Sequence, residues 1–420
     1  MKRIGDILTR NKTPVVVKDG MSYKQVTIRT NYKGVVLRGS QDGSAILTKN
    51  QFAVSAGQFI LSRIDARNGA FGIVPEELEG AIVSNEFLAF DINEDEVERE
   101  FFNVFLQSPV FLEACIRASR GNTNRKRVEE NFFLNYQVNL PPIREQHTLI
   151  KQINQGRTNI ATAQREITHQ ETLLAKLQQA ILQEAIQGKL TADWRAAHPQ
   201  AEPARQLLHR IQAEKARLIA AKQLRPEKPL PKITPAEIPF AIPKTWEWCR
   251  LGTIARHSLG KMLDKGKNRG TEKPYLRNLN VRWYEVALSD LKTMPFEERE
   301  LEKYSVQRGD VLICEGGHGI GRAAVWNSDD TVMFQKALHR VRFIGGFFDP
   351  ELFVHFLRLS EMSGHITKYY TGAGIPHLTG DSIHEMPIPL PPLAEQAAIV
   401  ARVETLLGIA INNNIGRYRR

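Results

Sequence analysis

The sequence predicts a mixed α/β (α+β) protein with two similar globular domains, which long antiparallel coiled-coil helices separate with pseudo-two-fold symmetry. Three observations carry this prediction. Segments from the first part of the chain recur about 250 residues later, in the same order. An apolar stripe with a seven-residue period follows the first copy. Within each copy, short apolar runs alternate with amphipathic stretches, which is typical of mixed strands and helices.

Four pairs of segments define the repeat. Asn139-Leu-Pro-Pro-Ile-Arg-Glu-Gln146 recurs as Pro389-Leu-Pro-Pro-Leu-Ala-Glu-Gln396, at an offset of 250. The other pairs have offsets of 247, 252 and 251, and are Ile4–Ile7 with Leu251–Ile254, Gly57–Leu61 with Gly309–Ile313, and Phe101–Leu106 with Leu352–Leu357. A solenoid repeats at a far shorter period. The pattern therefore indicates that one domain plus one helical segment occurs twice.

Each copy predicts two buried strands followed by an amphipathic helix. The predicted strands are Phe59–Ser62 and Ile82–Phe90 in the first copy, and Val311–Cys314 and Val332–Val341 in the second. The predicted helices cover 101–118 and 352–369. Each copy ends in Pro-Pro followed by Glu-Gln. This pattern predicts a helix start, because proline suits the first turn and an acid suits the positive end of the helix dipole.

A long helix is predicted after the first copy. Its heptad stripe consists of Ile153, Ile160, Ile167, Leu174 and Ile181. One sustained stripe predicts packing against another helix. A second helix is expected at about 202–223, and six prolines between 226 and 243 then predict a stiff, extended linker.

Together these features divide the chain into five predicted parts. They are a first domain, 1–142; a central helical spacer, 143–224; a Pro-rich linker, 225–245; a second domain, 246–392; and a C-terminal helix, 393–420. This arrangement suits a two-fold symmetric target with two half-sites, and duplex DNA offers such half-sites about 34 Å apart.

Charge and cysteine usage narrow the function. The formal net charge is +11, which favours a polyanionic partner, nucleic acid before an anionic membrane. Residues 143–243 hold 15 cations and 9 anions, so the flanking domains are close to neutral and need local basic patches. The separated cysteines (Cys115, Cys249 and Cys314) predict a reducing, cytoplasmic location without disulfides. Neither a membrane span nor a signal peptide is predicted.

The combination resembles the specificity subunit of type I restriction–modification systems. Besides the two proline turns, the residues that carry the resemblance are Leu177–Thr191 at the end of the central helix, Pro243-Lys-Thr-Trp-Glu-Trp248 before the second copy, and Gly372-Ala-Gly-Ile-Pro-His377 before the second turn. Two departures are visible. The first domain starts almost at residue 1 and has Gly121-Asn-Thr-Asn-Arg125 in place of that glycine loop. The C-terminal helix is short, which predicts weaker packing along the spacer.

The resemblance implies that two target-recognition domains each read half of a split DNA site and that the helices set the spacing. It also implies partners: double-stranded DNA, two modification subunits docked on the helices, and restriction subunits that translocate and cut DNA. No cofactor is expected on this chain, since S-adenosylmethionine would bind the modification subunit. The resemblance implies no catalytic site.

A motif search agrees with that expectation. The sequence contains no Walker-type phosphate loop, no Glu-x-Lys nuclease tripeptide and no His-x-x-x-His zinc pair. The Pro-Pro pairs precede Ile143 and Leu393, which excludes the Pro-Pro-aromatic pattern of adenine methyltransferases. The glycine-rich run Glu315–Gly321 predicts a tight hairpin.

Candidate DNA contacts lie in loops and near strand ends. Arginine and lysine neutralise phosphates or read guanine, and asparagine suits adenine. The candidates are Arg120, Asn122, Asn124, Arg125 and Lys126 in the first copy, and Lys261, Lys265, Lys267, Arg269, Arg322, Lys336, Thr371 and His377 in the second. For each, an ordinary solvated surface residue is the alternative.

Two other functions stay open at this point. A protein–protein scaffold with a helical rod would show no sequence-selective DNA binding. An autonomous enzyme would transfer methyl groups or cut DNA as a purified chain.

Overall fold

The computed structural model describes residues 1–121, 126–264, 266–317, 319–372, 374 and 376–417, and for 409–417 it describes the backbone alone. The chain forms two compact units, Met1–Ile167 and Thr168–Arg420. Within the described ranges, no helix is both long and apolar enough to cross a lipid bilayer.

The first unit contains the elements of the first copy. Its strands are β1 Lys2–Arg3, β2 Leu8–Asn11, β3 Thr13–Val16, β4 Ser22–Ile28, β5 Val35–Asp42, β6 Asn50–Val54, β7 Phe59–Ser62, β8 Phe71–Ile73, β9 Ala81–Val83, β10 Phe87–Ile92, β11 Ser119–Arg120, β12 Arg127–Val128 and β13 Gln137–Val138. Its helices are α1 Ile4–Ile7, α2 Arg99–Phe105, α3 Pro109–Arg117, α4 Glu130–Asn135 and the first part of α5 Ile143–Ile186.

A phenylalanine cluster fills the core of this copy. A four-stranded antiparallel sheet in the order β2-β10-β7-β8 supports the cluster, and every residue of β7 is buried. Phe59 and Phe111 meet edge to face with ring centroids 5.5 Å apart, a geometry that aromatic pairs favour. The second sheet, β3-β6-β9-β4-β5, shares a smaller core with the first sheet, in which Val54 of β6 lies with Ile60 of β7.

The second unit holds the end of α5 and the second copy. Its strands are β14 Glu247–Arg250, β15 Ala255–Leu259, β16 Thr271–Leu276, β17 Val281–Arg282, β18 Glu285–Val286, β19 Lys292–Phe296, β20 Val311–Cys314, β21 Ala323–Val325, β22 Met333–Phe334, β23 Leu338–Phe343, β24 Tyr370–Thr371, β25 His377–Leu378 and β26 Pro387–Leu390. Its further helices are α6 Ala192–Ala197, α7 Ala204–Ala220, α8 Leu251–Ile254, α9 Glu298–Tyr304, α10 Pro350–Met362, α11 Gly380–Glu385 and α12 Leu393–Arg417.

The sheets confirm the predicted duplication. The second copy has a four-stranded sheet in the order β15-β23-β20-β21, the counterpart of β2-β10-β7-β8. The short pairs β14-β26 and β24-β25 match β1-β13 and β11-β12 in the same way. The copies differ outside this frame, because the second has a three-stranded sheet, β19-β16-β22, where the first has five strands.

Four predicted elements differ in their bounds. The helix predicted over 101–118 is two helices, because Ser108 caps a new start and Pro109 occupies its first turn. The strand predicted over Ile82–Phe90 is divided between β9 and β10, which belong to different sheets. The strand predicted over Val332–Val341 is likewise divided between β22 and β23, which also belong to different sheets. The helix predicted over 352–369 ends at Met362, and Gly364 then adopts a positive φ of 72° before a 3₁₀ turn.

The glutamine of the repeated Glu-Gln motif makes equivalent contacts in both copies. Gln146 accepts a hydrogen bond from the backbone N–H of Glu98 at 2.8 Å and donates to the carbonyl of Pro141 at 2.8 Å. Gln396 accepts from the N–H of Asp349 at 2.7 Å and donates to Pro391 at 3.1 Å. Each glutamine therefore fixes the start of its own helix to the N-cap residue of an earlier helix, which is Glu98 before α2 and Asp349 before α10.

The long helix is confirmed, since α5 runs for 44 residues. Ile181 of the heptad stripe packs in a core that also contains Ile399 and Val403 of α12. Ile160 is 59% exposed and Ile167 is 42% exposed, whereas Ile153 and Leu174 are half-buried. A partner helix along this middle stretch therefore stays a prediction.

Candidate nucleic-acid interface

In the first copy, three segments meet through backbone hydrogen bonds. The N–H of Val128 donates to the carbonyl of Arg63 at 2.8 Å, and the N–H of Arg63 donates to the carbonyl of Glu86 at 2.8 Å. These bonds join the β11–β12 hairpin, the end of β7 and the start of β10. We call Arg63, Glu86, 119–121 and 126–128 the first-copy edge.

In the second copy, equivalent backbone hydrogen bonds join the corresponding segments, and an additional bond joins one further segment. The N–H of Leu378 donates to the carbonyl of Glu315 at 2.8 Å, and that of Glu315 donates to Ala337 at 3.0 Å. The N–H of Lys336 then donates to the carbonyl of Lys261 at 2.9 Å. These bonds join 261, 315–317, 335–338 and 376–378, and 370–372 pairs with the last of these segments. We call these residues, together with the loop after Lys261 (262–264 and 266–269) and the turn after β16 (277–280), the second-copy edge.

The two edges share a backbone frame and differ in side chains. Arg63 in the first copy corresponds to Glu315 in the second, as their identical backbone bonds show. Glu86 likewise corresponds to Ala337. Backbone bonds do not depend on side-chain identity, so one frame presents a different set of charges in each copy.

Two of the predicted first-copy residues are exposed on this edge. The guanidinium of Arg120 lies 4.3 Å from the centroid of the Phe132 ring, and Lys126 is exposed to solvent. The neighbouring Arg127 is engaged with the carboxylate of Glu86 through bonds of 3.0 and 3.1 Å. Of the other predicted residues, Asn122, Asn124 and Arg125 lie outside the described residues.

Most of the predicted second-copy residues also come together. Lys267 has a side chain that is 87% exposed, and Arg269 and Lys336 are exposed as well. Thr371 and His377 are exposed and face each other across β24-β25, and His377 also bridges to Gly316. Arg322 is half-buried and follows the glycine-rich run Glu315–Gly321, for which the sequence predicts a tight hairpin. The strands on either side of this run, β20 and β21, pair antiparallel. Lys265 lies outside the described residues.

Lys261 has a different environment from the one that its sequence context suggested. It is only 6% exposed, and its ammonium donates to the carbonyl of Pro295 at 2.8 Å and to Glu300 at 2.6 Å. The same ammonium lies 4.8 Å from the centroid of the Phe296 ring. A buried, paired ammonium anchors the loop that follows it, and we therefore leave Lys261 out of the candidate contacts.

Sequence reasoning missed Arg63, which the structure places at the centre of the first-copy edge. Its side chain is half-buried, and within the described part of the chain its Nε has no hydrogen-bond partner. A cation directly after the buried strand Phe59–Ser62, at the position of Glu315 in the repeat, is the signal that could have identified it.

A buried histidine fixes the β24-β25 hairpin to the sheet behind it. His339 is 1% exposed, and its Nε2 lies 2.8 Å from the carbonyl oxygen of Leu378. Burial lowers the pKa of His339 to about 4, so the ring is neutral at pH 7 and its Nε2–H donates this bond. The second-copy edge is thus anchored to β23 by a side chain as well as by backbone.

The three cysteine thiols are shielded from solvent. Cys115, Cys249 and Cys314 are buried, and burial raises the pKa of each thiol above its ordinary range. A protonated thiol is a poor nucleophile and a poor metal ligand. No cluster of three or more metal-ligating side chains occurs among the residues that the structure describes.

Comparison with known proteins identifies one family. The family model of the type I restriction modification DNA specificity domain matches residues 1–169 and again 243–417. The chain is 25% identical over 359 residues to the type I restriction enzyme EcoAI specificity subunit of Escherichia coli, and 24% identical over 366 residues to the EcoEI specificity subunit of the same species. Each alignment covers 74% of this chain and 60% of the relative, so it spans less than two thirds of those proteins.

Solved structures have the same fold. The HsdS subunit from Thermoanaerobacter tengcongensis superposes with a TM-score of 0.54 at 17% identity, covering 98% of this chain and 89% of that one. A second chain, from a study of complex assembly and conformational transition of the type I R-M system, gives a TM-score of 0.56 at 17% identity over 99% and 92% of the two chains.

Proposed function

Because the chain belongs to the type I restriction modification DNA specificity domain family, we propose that it is a DNA sequence-recognition subunit without a catalytic site of its own. Each copy reads one half of a split DNA site. Phosphate contacts from exposed cations supply affinity, and contacts to base edges in the major groove supply specificity.

The observation that carries this proposal is the pair of equivalent edges. Each edge is built by the same backbone hydrogen bonds at Arg63 and at Glu315 and presents its own side chains. A duplicated frame with different side chains suits two half-sites of different sequence. The candidate contacts among the described residues are Arg63, Arg120, Lys126, Lys267, Arg269, Arg322, Lys336, Thr371 and His377.

The helical parts set the distance between the half-sites in this proposal. The domains are assigned as 1–142 and 246–392, with the spacer at 143–224, the linker at 225–245 and the C-terminal helix at 393–420. A helix of 44 residues is about 66 Å long, which exceeds the roughly 34 Å of one turn of duplex DNA. The exposed heptad positions Ile160 and Ile167 are the places where a partner helix packs.

The partners follow from the relatives, which are subunits of type I restriction enzymes. We propose that the chain assembles in the cytoplasm with two modification subunits and with restriction subunits on double-stranded DNA. The methyl donor, S-adenosylmethionine, binds the modification subunit. That subunit also extrudes the target adenine, because chemistry on a base requires its removal from the stack.

Genome-wide mapping of methylated adenines tests this function. Cells with and without the gene are compared, and loss of one split motif on deletion is the expected result. Unchanged methylation overturns the proposal. A protein–protein scaffold, the competing function, predicts unchanged methylation and no salt dependence of DNA binding by the complex.

A further inference from the structure

Three parallel chain segments of the second copy run towards the same edge. Leu276 pairs in parallel with Phe334, and Lys261 pairs in parallel with Gln335. The carbonyl of Leu276 accepts from the N–H of Gln335 at 2.9 Å, and that of Phe334 accepts from Lys261 at 3.0 Å. The residues that follow these three segments therefore emerge side by side: Arg277–Asn280, Lys336–Ala337 and Met262–Leu263.

The first of these continuations is a rigid turn. The N–H of Asn280 donates to the carbonyl of Arg277 at 2.9 Å, and the N–H of Arg277 donates to Oδ1 of Asn280 at 3.0 Å. The Asn280 amide also donates to the carbonyl of Ala287 at 3.0 Å, and the residue is 3% exposed. Arg277 is bound to Asp290 at 2.8 Å. The residues between Arg277 and Asn280 are thus held in one conformation.

The turn presents an apolar side chain and an amide to solvent. Leu279 is 73% exposed although its neighbours are fixed. Asn278 is half-buried, and its side-chain amide makes no hydrogen bond to any residue that the structure describes. A methyl group added at Gly317 would lie 3.8 Å from Nδ2 of Asn278, which places this amide beside the glycine-rich hairpin and close to His377.

These two side chains match one kind of base pair. An asparagine amide forms paired hydrogen bonds with N6 and N7 of adenine, and an apolar side chain contacts the C5-methyl group of thymine. The cations Lys267, Arg269 and Lys336 on the same edge can hold the flanking phosphates. On the basis of the proposed function, we propose that Asn278 and Leu279 read A·T base pairs in the major groove, adenine through Asn278 and the thymine methyl through Leu279.

Methylation mapping tests this assignment in cells. Asn278→Ala and Leu279→Ala are each expected to relax the motif at an A·T position of one half-site, while the other half-site stays unchanged. Ile238→Ala is the matched control, since Ile238 is an exposed apolar residue (38%) outside the edge. An unchanged motif in both variants overturns the assignment, whereas absence of any motif in the wild type overturns the proposed function itself.

Binding by the assembled complex gives a second readout, and its first comparison uses the unaltered protein, so it does not depend on folding of a variant. Thymines in the mapped half-site are replaced one at a time by uracil, which lacks only the methyl group. One replacement is expected to weaken binding about fourfold, the effect of one buried methyl-sized group. Leu279→Ala should bind the thymine and uracil duplexes equally. If every uracil duplex binds the unaltered complex as tightly as the parent, the assignment is overturned.

Discussion

Trp246 donates its indole N–H to Oε2 of Glu395 at 2.8 Å, and both side chains are buried. The other carboxylate oxygen accepts from Thr191 at 2.6 Å and from Arg195 at 2.5 Å. Glu395 therefore ties the start of α12 to the segment after α5 and to the residue before β14. The corresponding Glu145 of the first copy is exposed.

Glu395→Ala is expected to destabilise the second unit by about 3–5 kcal/mol, because the substitution leaves the buried donors around it unpaired. All five tryptophans lie between 194 and 326, so tryptophan fluorescence during urea unfolding reports this unit. Glu145→Ala is the control at the same position of the repeated motif and should change stability by less than about 0.5 kcal/mol. Equal effects of the two substitutions would contradict the role given to Glu395.

Gln146→Ala and Gln396→Ala should each cost about 1–3 kcal/mol, since each removes the acceptor of a backbone N–H ahead of a helix. Two spectroscopic signals distinguish the two variants. Gln396→Ala shifts the tryptophan transition, whereas Gln146→Ala shifts the circular dichroism transition and leaves the tryptophan signal in place. A shift of the tryptophan unfolding transition in Gln146→Ala would contradict this assignment.

The second unit should lose stability in mild acid. Burial lowers the pKa of both His339 and His355 to about 4, from an ordinary 6.5. The unfolded chain binds protons that the folded chain excludes, so stability is complete above pH 6.5 and falls as the pH decreases towards 4. Each histidine contributes a slope of up to about 1.4 kcal/mol per pH unit.

Urea unfolding at pH 7.5, 6 and 5 measures this slope. His339→Gln should flatten it, and the exposed His198→Gln is the matched control that should keep the wild-type slope. The prediction fails if His339→Gln and the wild type lose stability in parallel.

Lys267→Ala and Arg269→Ala should each reduce the salt dependence of DNA binding by the complex by about one unit in the slope of log K against log salt. The effect is equal for matched and unmatched DNA, because phosphates carry no sequence. Arg308→Ala is the control: it removes an exposed arginine paired with Asp329 away from the edge, and the slope should stay unchanged. Lys261→Met should lower stability and leave the slope as it is. A slope change in that variant would contradict the buried position of Lys261.

Sequence reasoning predicted the repeat and the long helix, because repeated motifs and apolar periodicity are local properties of the chain. It named several residues of the second-copy edge and missed Asn278 and Leu279, whose place depends on pairing between distant strands. The position of Lys261 was not predictable in this way, since its burial depends on Glu300 and Pro295, which are more than 30 residues away in sequence. Arg63 was missed because a single cation after a strand carries no pattern of its own. Its place follows from its backbone contacts with Glu86 and Val128.

The hydrogen bonds at Arg63 and Glu315 have an evolutionary consequence. Main-chain atoms alone form them, so mutations can replace the outward-facing residues of either edge while the scaffold keeps its geometry. A protein with such a scaffold can acquire a new target preference in one half through a few point mutations. Its fold and the target preference of the other half are preserved.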